Sequence, residues 1–593
     1  MSRRRADKLR VLLLHPGDTP LSPTPSERWD LIIDLGRAPD STYDRWTREI
    51  GCPLFTLYQF AQEVDDLQAL QQLLQLGMGR MVDRSGIDWW DVLSLEIVPQ
   101  LQQLILAPRL SRELDGSCEL YASRPHLIAT ALQRLLGARL TILENRFQSV
   151  IHRARRYRDT LLQIDATQFA QVLVDRFDND HAIRRRFVRR RQPSAEPVVL
   201  LPSAYINVSR IELAYAEQLS EYQFLLVCTR NNANVSELPP NVRSASLTPY
   251  FAPSDKLEMA SLLESWNGLR KHLAGGDEIL NLADAIGLLG QIPSLLRWGL
   301  ALRDAWSRVF EAENVTACLC ADDSNPPSSI PLMMAKKRGL PAIACHHGGL
   351  NYHMAIKTNH ADVYLVKNEM ERDYLRRICN VPPEKMAMAG LPPSKAQPEH
   401  RIAPHSAPWL VFFTEPYQCG GWRNDEVYGD LLPRLCALAR SCRLKLVFKL
   451  HPFDSVKSHR KMLRRFVPEH ARMIEVVTGP PSDQLWKNTR IALTVQSSIA
   501  LECAALGIPV FLCAWLRDPY SGYVPQYARF GVGHVLESPE QIADVPQLLE
   551  NQKHDPSPRE ASVRNVDSFR LARLFSAGHT LPPAATDELV QST

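Results

Sequence analysis

No stretch of the 593 residues reaches about 18 uncharged apolar residues in a row, so no membrane-spanning helix is expected. The twelve cysteines include no CxxC pair and no Cys/His spacing suited to zinc. That leaves reduced, mostly buried thiols; Cys318 and Cys320 alternate along a strand-like run, as packing residues do. A net charge of +4 is too small to argue for a nucleic-acid partner, and none is expected. There is no internal repeat of roughly 20–50 residues. The N-terminus is basic, but only Val11 to Leu14 separate it from His15-Pro16-Gly17. That run is too short for the apolar core of a signal peptide, and it reads as a first buried strand in a cytoplasmic protein.

What is present is the composition of an ordinary soluble protein, 45% hydrophobic and 23% charged, in a chain long enough for two or three domains. The positive charge is concentrated. Arg153 to Arg158 and Arg184 to Arg191 are dense basic runs. They read either as solvated surface or as contact with an anionic membrane or acidic polymer. In the second reading, 153–191 gives peripheral attachment at the inner membrane face.

RVLLLHPG and WDLIIDLG are apolar enough to be buried on both faces, the pattern of a parallel sheet. CPLFTLYQF is a third strand candidate. From about 64 to 187, apolar residues recur at three- and four-residue spacing, which reads as a helical insertion. Within it, Asp91 and Glu96 near Trp89 and Trp90 either line a sugar-sized pocket or flank aromatic helix packing. A linker at Gln192 to Pro197 follows, and βα alternation resumes. VTACLC ends in Asp322-Asp323-Ser324-Asn325, IPLMMAKKRGL is a helix with Gly339 at its C-terminal cap, and PAIACHHGG ends in a Gly-bearing turn. AMAGLPPSKAQPEH is a Pro-rich linker, and PWLVFFTEP opens a second alternating block.

These boundaries give the start of an N-terminal Rossmann-like domain at 1–63 and a helical subdomain at 64–192. The rest of the N-terminal domain follows at 193–395, and a C-terminal domain with terminal helices occupies 396–593. Ligands of doubly wound sheets bind beyond the carboxyl ends of the strands. The turns at 322–325, 346–349, 414–420, 451–454 and 496–498 all fall there, facing each other across a cleft in this reading.

The C-terminal block centres on 444–515. LKLVFKLHP delivers His451-Pro452 at a strand end, IALTV leads into Gln496-Ser497-Ser498, and IALECAALG opens a helix. Free N–H groups and the positive dipole end of a helix favour phosphate. The serine hydroxyls add donors, and Lys449 or His451 adds positive charge.

HHGG after an apolar strand, KLHP, and SSIALECAALGIPV together resemble bacterial GT-B glycosyltransferases of surface and capsular polysaccharide synthesis. That group includes polysialyltransferases, Kdo transferases and the CDP-glycerol polymerases of teichoic acid. The resemblance covers 315–515 and implies an α/β, GT-B-like fold of two doubly wound Rossmann-like domains, with the helical insertion in the N-terminal half. It implies a nucleotide-activated sugar donor, a glycan or lipid-linked glycan acceptor, no cofactor beyond the donor and no bound metal. It assigns His451, Ser497 and Ser498 to the donor phosphates.

Lys449 lies two residues before His451, on the same strand face, and is either a phosphate ligand or a strand-end charge. Glu502, one helical turn after Ser498, either binds ribose hydroxyls or faces solvent. Glu415 stands at a donor-contact position where the relatives tend to carry an uncharged residue. His347 corresponds to a histidine proposed as a base or acceptor-side group in the teichoic-acid relatives. Deprotonating a hydroxyl near neutral pH suits an imidazole. His347 is favoured over His346 because Gly348 and Gly349 permit close backbone approach. Asp322 and Asp323 are the other base candidates, and one of them is also suited to cap the following helix.

Two competing functions share these features. A nucleotide-sugar 2-epimerase uses the same phosphate logic but needs several carboxylates around the sugar ring. A non-catalytic binding module would keep the fold without turnover.

Overall fold

The computed structural model describes residues 8–18, 29–114, 118–143, 195–230, 233, 235, 237–252, 254–348, 350, 360–390, 407–417, 421–452, 454–517, 523–554 and 568–576. Within them, eighteen strands form three sheets, and every strand pairing is parallel.

The first sheet contains β1 (Leu9–Leu14), β2 (Leu31–Asp34), β3 (Leu54–Thr56), β4 (Cys118–Ala122) and β5 (Arg139–Ile142), in the order β3-β2-β1-β4-β5. The second contains β6 (Val198–Ser203), β7 (Phe224–Cys228), β8 (Val242–Ser246), β9 (Val315–Cys320), β10 (Ala342–Ala344), β11 (Val363–Val366) and β12 (Met386–Met388). Its order is β12-β11-β10-β9-β6-β7-β8. The third contains β13 (Trp409–Phe413), β14 (Lys445–Lys449), β15 (Glu475–Val477), β16 (Thr489–Thr494), β17 (Val510–Cys513) and β18 (His534–Leu536), in the order β15-β14-β13-β16-β17-β18.

Counted within each sheet, all three share the doubly wound order 3-2-1-4-5. The chain therefore reverses direction across each sheet between its first and fourth strands, where a crevice opens at the carboxyl ends. The sequence explains why these strands are central. VVLLPS and FLLVC are buried at every position, as a strand covered by helices on both faces requires.

Two expectations are corrected. The strands of 1–63 do not belong to the sheet that follows residue 193. They pair with β4 and β5, which lie inside the span expected to be helical. Periodicity misled there because β4 and β5 are short and only partly buried, while helices Trp89–Glu113 and Leu127–Leu136 dominate the pattern. The basic runs of 153–191 lie outside the described residues, as does the linker AMAGLPPSKAQPEH from 391 onward, while its first residues, Ala387 and Met388, end strand β12.

The chain forms two compact units. One combines 1–70, 99–169 and 398–558, and so holds the first and third sheets; the other combines 71–98, 170–397 and 559–593 around the second sheet. In the first unit the two sheets are joined by Arg423, which is almost fully buried. Its guanidinium donates to both carboxylate oxygens of Asp34 (2.6 and 2.8 Å) and to the carbonyls of His15 (2.7 Å) and Asp18.

In the second unit, helix Ser568–Ser576 completes the core of the second sheet instead of extending a C-terminal domain. Leu571, Leu574 and Phe575 join Phe224 and Leu226, and Tyr222 donates to the Ala572 carbonyl at 3.0 Å. Each such side chain contributes ~1.5–3 kcal/mol by leaving water.

Trp89 and Trp90 are packing residues, not the wall of a sugar pocket. Both are fully buried; Trp89 donates to Asp83 and Trp90 to the Leu74 carbonyl, and Trp90 stacks on Trp266 at 6.2 Å. A Cβ on Gly299 would come 2.3 Å from the Trp89 ring, so this helix crossing requires glycine. Asp91 is bonded to His360 at 2.9 Å, and Glu96 is exposed. The eleven cysteines within the described residues are all thiols, ten of them buried. None of the described helices is by itself long and apolar enough to cross a membrane.

Candidate functional site

The second sheet builds its crevice from the ends of three neighbouring strands, β6, β9 and β10. Tyr205 follows β6, Asp322 follows β9, and His347 follows β10. They meet. The Tyr205 hydroxyl donates to Asp322 Oδ2, and the Tyr205 hydroxyl oxygen lies 3.1 Å from His347 Nε2. His347 Nδ1 lies 3.0 Å from the Ala321 carbonyl and 4.0 Å from Asp322 Oδ2.

A carbonyl can only accept, so Nδ1 carries a proton. Asp322 also accepts from the Ser324 amide (2.9 Å), the Ser324 hydroxyl and Asn325 Nδ2 (2.7 Å). Burial alone would raise this carboxyl's pKa. The His347 charge and the hydroxyls of Ser324 and Tyr205 outweigh it and hold Asp322 below the usual carboxylate range. Burial and the adjacent Asp322 charge push the Tyr205 phenol far up, so it stays protonated. With the single Tyr205 proton given to Asp322, the hydrogen-bond chain is complete only when His347 Nε2 also carries a proton. The arrangement is therefore fitted to receive one.

Its neighbours are spoken for. His346 is 1% exposed against 15% for the His347 side chain, so of the pair only His347 can meet a ligand. His346 Nδ1 faces Glu371 Oε1 at 3.4 Å, and Glu371 also receives the Lys367 ammonium at 3.2 Å. Burial would raise Glu371, but Lys367 and His346 prevail and pull it down to about 2. Asp323 is buried and bonded to Tyr364. The helix cap expected of Asp322 or Asp323 belongs to Asn325, whose side chain accepts from the Ser328 amide; neither aspartate caps helix Pro326–Lys337. Gly339 takes the left-handed conformation just past that helix.

The third sheet builds the equivalent crevice from β14, β13 and β16. After β13, the Thr414 hydroxyl accepts from the His451 amide at 2.9 Å and donates to Asp454, fixing the His451-Pro452 turn from both sides. Glu415 is turned inward. Its Oε1 accepts from the Gln496 amide at 2.8 Å and the Thr494 hydroxyl at 3.1 Å. Burial raises its pKa, against the opposing pull of those donors.

The anion-binding turn expected from the sequence thus already holds a carboxylate of the chain itself, on one of its amides. The Ser497 hydroxyl accepts from the Ile499 amide at 3.4 Å, and Ser498 sits at the helix cap without a side-chain capping bond. Helix Ile499–Ala505 has only two turns, and Glu502 is half-buried on it. Lys449 is buried, and its ammonium donates to the Leu450 carbonyl at 2.8 Å.

Tyr205 is the functional candidate missed in the sequence. Nothing in YINVSRIELAYAEQ distinguishes it from other aromatic residues near a helix start; its role depends on strands about 120 and 140 residues later. No group of three or more metal-ligating side chains occurs among the described residues. Asp178-Asn179-Asp180, which has the spacing of a metal-binding DxD, lies outside them.

No family model matches the chain, and no curated protein matches it in sequence. Among solved structures, the UDP-GlcNAc 2-epimerase of Methanocaldococcus jannaschii is similar at 11% identity and a TM-score of 0.39, covering 64% of this chain and 99% of that one. MurG of Acinetobacter baumannii is similar at 10% identity and 0.35, with 64% and 99% covered. The wall teichoic acid polymerase TagF is similar at 11% identity and 0.36, with 70% and 93% covered. Likeness of this size carries no argument about activity; the side chains have to.

Proposed function

We propose that the protein is a glycosyltransferase. It would move a sugar, or a related group, from a nucleotide-activated donor to a hydroxyl of a cell-surface glycan acceptor. The observation that carries the reading is the hydrogen-bonded chain of Asp322, Tyr205 and His347 at the carboxyl end of the second sheet.

The acceptor hydroxyl forms the new C–O bond while the bond from the sugar carbon to the donor phosphate breaks. The bonding pair leaves on the phosphate oxygen, and the hydroxyl proton passes to His347 Nε2. The Ala321 carbonyl holds the imidazole by Nδ1, and Tyr205, with its proton on Asp322, gives up its place at Nε2 to the acceptor hydroxyl. Tyr205 and Asp322 act here as positioning residues.

Donor phosphate binding is assigned to the other unit. His451, held by the Thr414 hydroxyl, and the hydroxyls of Ser497 and Ser498 are its ligands. Lys449 contributes long-range positive charge, and Glu502 reaches the ribose. Glu415 is reassigned from donor contact to support of the Gln496–Ser498 turn. Nucleotide sugars are cytoplasmic metabolites, so the reading places the enzyme in that compartment, at the membrane face where lipid-linked acceptors are extended. It assigns no step to a metal.

The test is incubation with UDP-, CDP-, GDP- and CMP-sugars in the presence of glycan acceptors, with assay of free nucleotide and product. Acceptor-dependent nucleotide release supports transfer. Free UDP with an epimerised sugar and no acceptor dependence would replace it with the epimerase reading. No turnover and no binding would leave a module without activity.

A further inference from the structure

Helix Val456–Phe466 follows the His451 turn and carries five exposed cations and no acidic residue. Its inner face is buried through His459, Met462 and Leu463. Lys457, Arg460, Lys461 and Arg464 occupy positions i, i+3, i+4 and i+7, a single stripe along the outer face. Like charges at these spacings repel, so the stripe is a local cost to the helix rather than a support.

The acidic residues around it are engaged elsewhere. Asp425 pairs with Arg465, Glu475 with Lys445 at 2.6 Å, and Glu469 lies beside His470. Among the described residues, the four cations of the stripe have no acidic partner within 4.0 Å. Arg472 is exposed just beyond the helix, and next to it Met473 is 64% exposed, one of the few large apolar side chains in solvent.

We propose that this face is a docking surface for an anionic phospholipid bilayer. The stripe lies along the exposed outer face of one helix rather than in a buried pocket, an arrangement ill suited to selecting one phosphate group in one orientation. Four cations on long, flexible stems suit a broad, fluid layer of negative headgroups, and Met473, which follows the helix in the chain, offers an exposed apolar side chain. The inference does not rest on the donor assignment. It places membrane contact on described residues of the third-sheet region, separate from the basic runs of 153–191.

The test is co-sedimentation of the full chain with vesicles of phosphatidylglycerol and phosphatidylcholine (about 3:7) against pure phosphatidylcholine, at about 0.1 M salt where charges are screened only beyond ~10 Å. Binding is expected to the anionic vesicles alone, with release at high salt. Each cation near an anionic leaflet is worth roughly fivefold in partition, so replacing Lys457, Arg460, Lys461 and Arg464 with Ser should lower it by ~100-fold or more. Arg460→Ser alone should cost roughly fivefold, a readout that survives if the fourfold variant misfolds. Replacing Arg134, Lys256, Lys271 and Arg297 with Ser removes the same charge elsewhere and should leave partition unchanged. Wild-type partition in the stripe variants overturns the proposal, as does equal loss in the control variant or absence of wild-type binding. Stripe-dependent binding to soluble heparin without binding to vesicles would also overturn it, in favour of an acidic polymer.

Discussion

The first and second sheets wind in the same order and open their crevices at the same topological place, yet they fill them in opposite ways. At the carboxyl ends of β1 and β2, the guanidinium of Arg423 enters and takes the His15 and Asp18 carbonyls and the whole Asp34 carboxylate. Those polar groups are consumed by the fold. Between β6 and β9, Asp322 is equally buried, but one of its partners is the Tyr205 hydroxyl, which passes the contact on to a histidine that still touches solvent. A closed charge pair holds two sheets together; an open-ended chain of hydrogen bonds leaves one proton position available. Sheet topology fixes where a ligand can bind, and side chains fix whether one does.

That contrast can be broken from either side. His347→Ala should lower turnover by ~10²–10⁴-fold, the range of a lost acid–base group, with the melting temperature nearly unchanged. Tyr205→Phe should lower turnover less and shift its pH profile, which a merely structural tyrosine would not do.

Arg423→Met should do the reverse. It leaves Asp34 as an uncompensated buried charge, costing ~3–5 kcal/mol in urea or thermal unfolding, and Arg423→Lys should not restore the bidentate contact. Glu415→Ala should cost ~1–3 kcal/mol by stranding the Gln496 amide, read out by the same unfolding curves.

The smallest expected effect is an acid dependence that separates the two crevices. Burial lowers both His15 and His126 from 6.5 to about 4. Between those values the unfolded chain binds protons that the folded chain does not. Stability should therefore fall as pH drops from about 6.5 toward 4. In the other unit, Glu371 drops from 4.5 to about 2, so its contribution is present above 4.5 and lost only as pH falls through that lower window. Melting followed at pH 7, 5.5 and 4 should show the unit holding His15 weakening first.

Much of this was legible in the sequence, and the reasons are local. VVLLPS, VTACLC and LKLVFK announce buried parallel strands because covering both faces demands unbroken apolar runs. Placing His347, Asp322, His451 and Ser497 at strand ends follows directly. What was not legible depends on distant partners. Glu415 reads as a residue at a donor-contact position until the turn at Gln496 is seen to bond to it. The same holds for Asp34, whose arginine lies 389 residues later. The strands β4 and β5 were hidden because a 25-residue helix precedes them and their own burial is partial.

The central claim separates donor binding from proton transfer, and calorimetric titration tests it most directly. UDP, CDP, GDP and CMP would be titrated into the wild-type protein, His451→Ala and His347→Ala. At least one nucleotide should bind the wild type, bind His451→Ala at least tenfold more weakly, and bind His347→Ala with unchanged affinity. Equal affinity for the wild type and His451→Ala, or no binding of any nucleotide, would contradict the account.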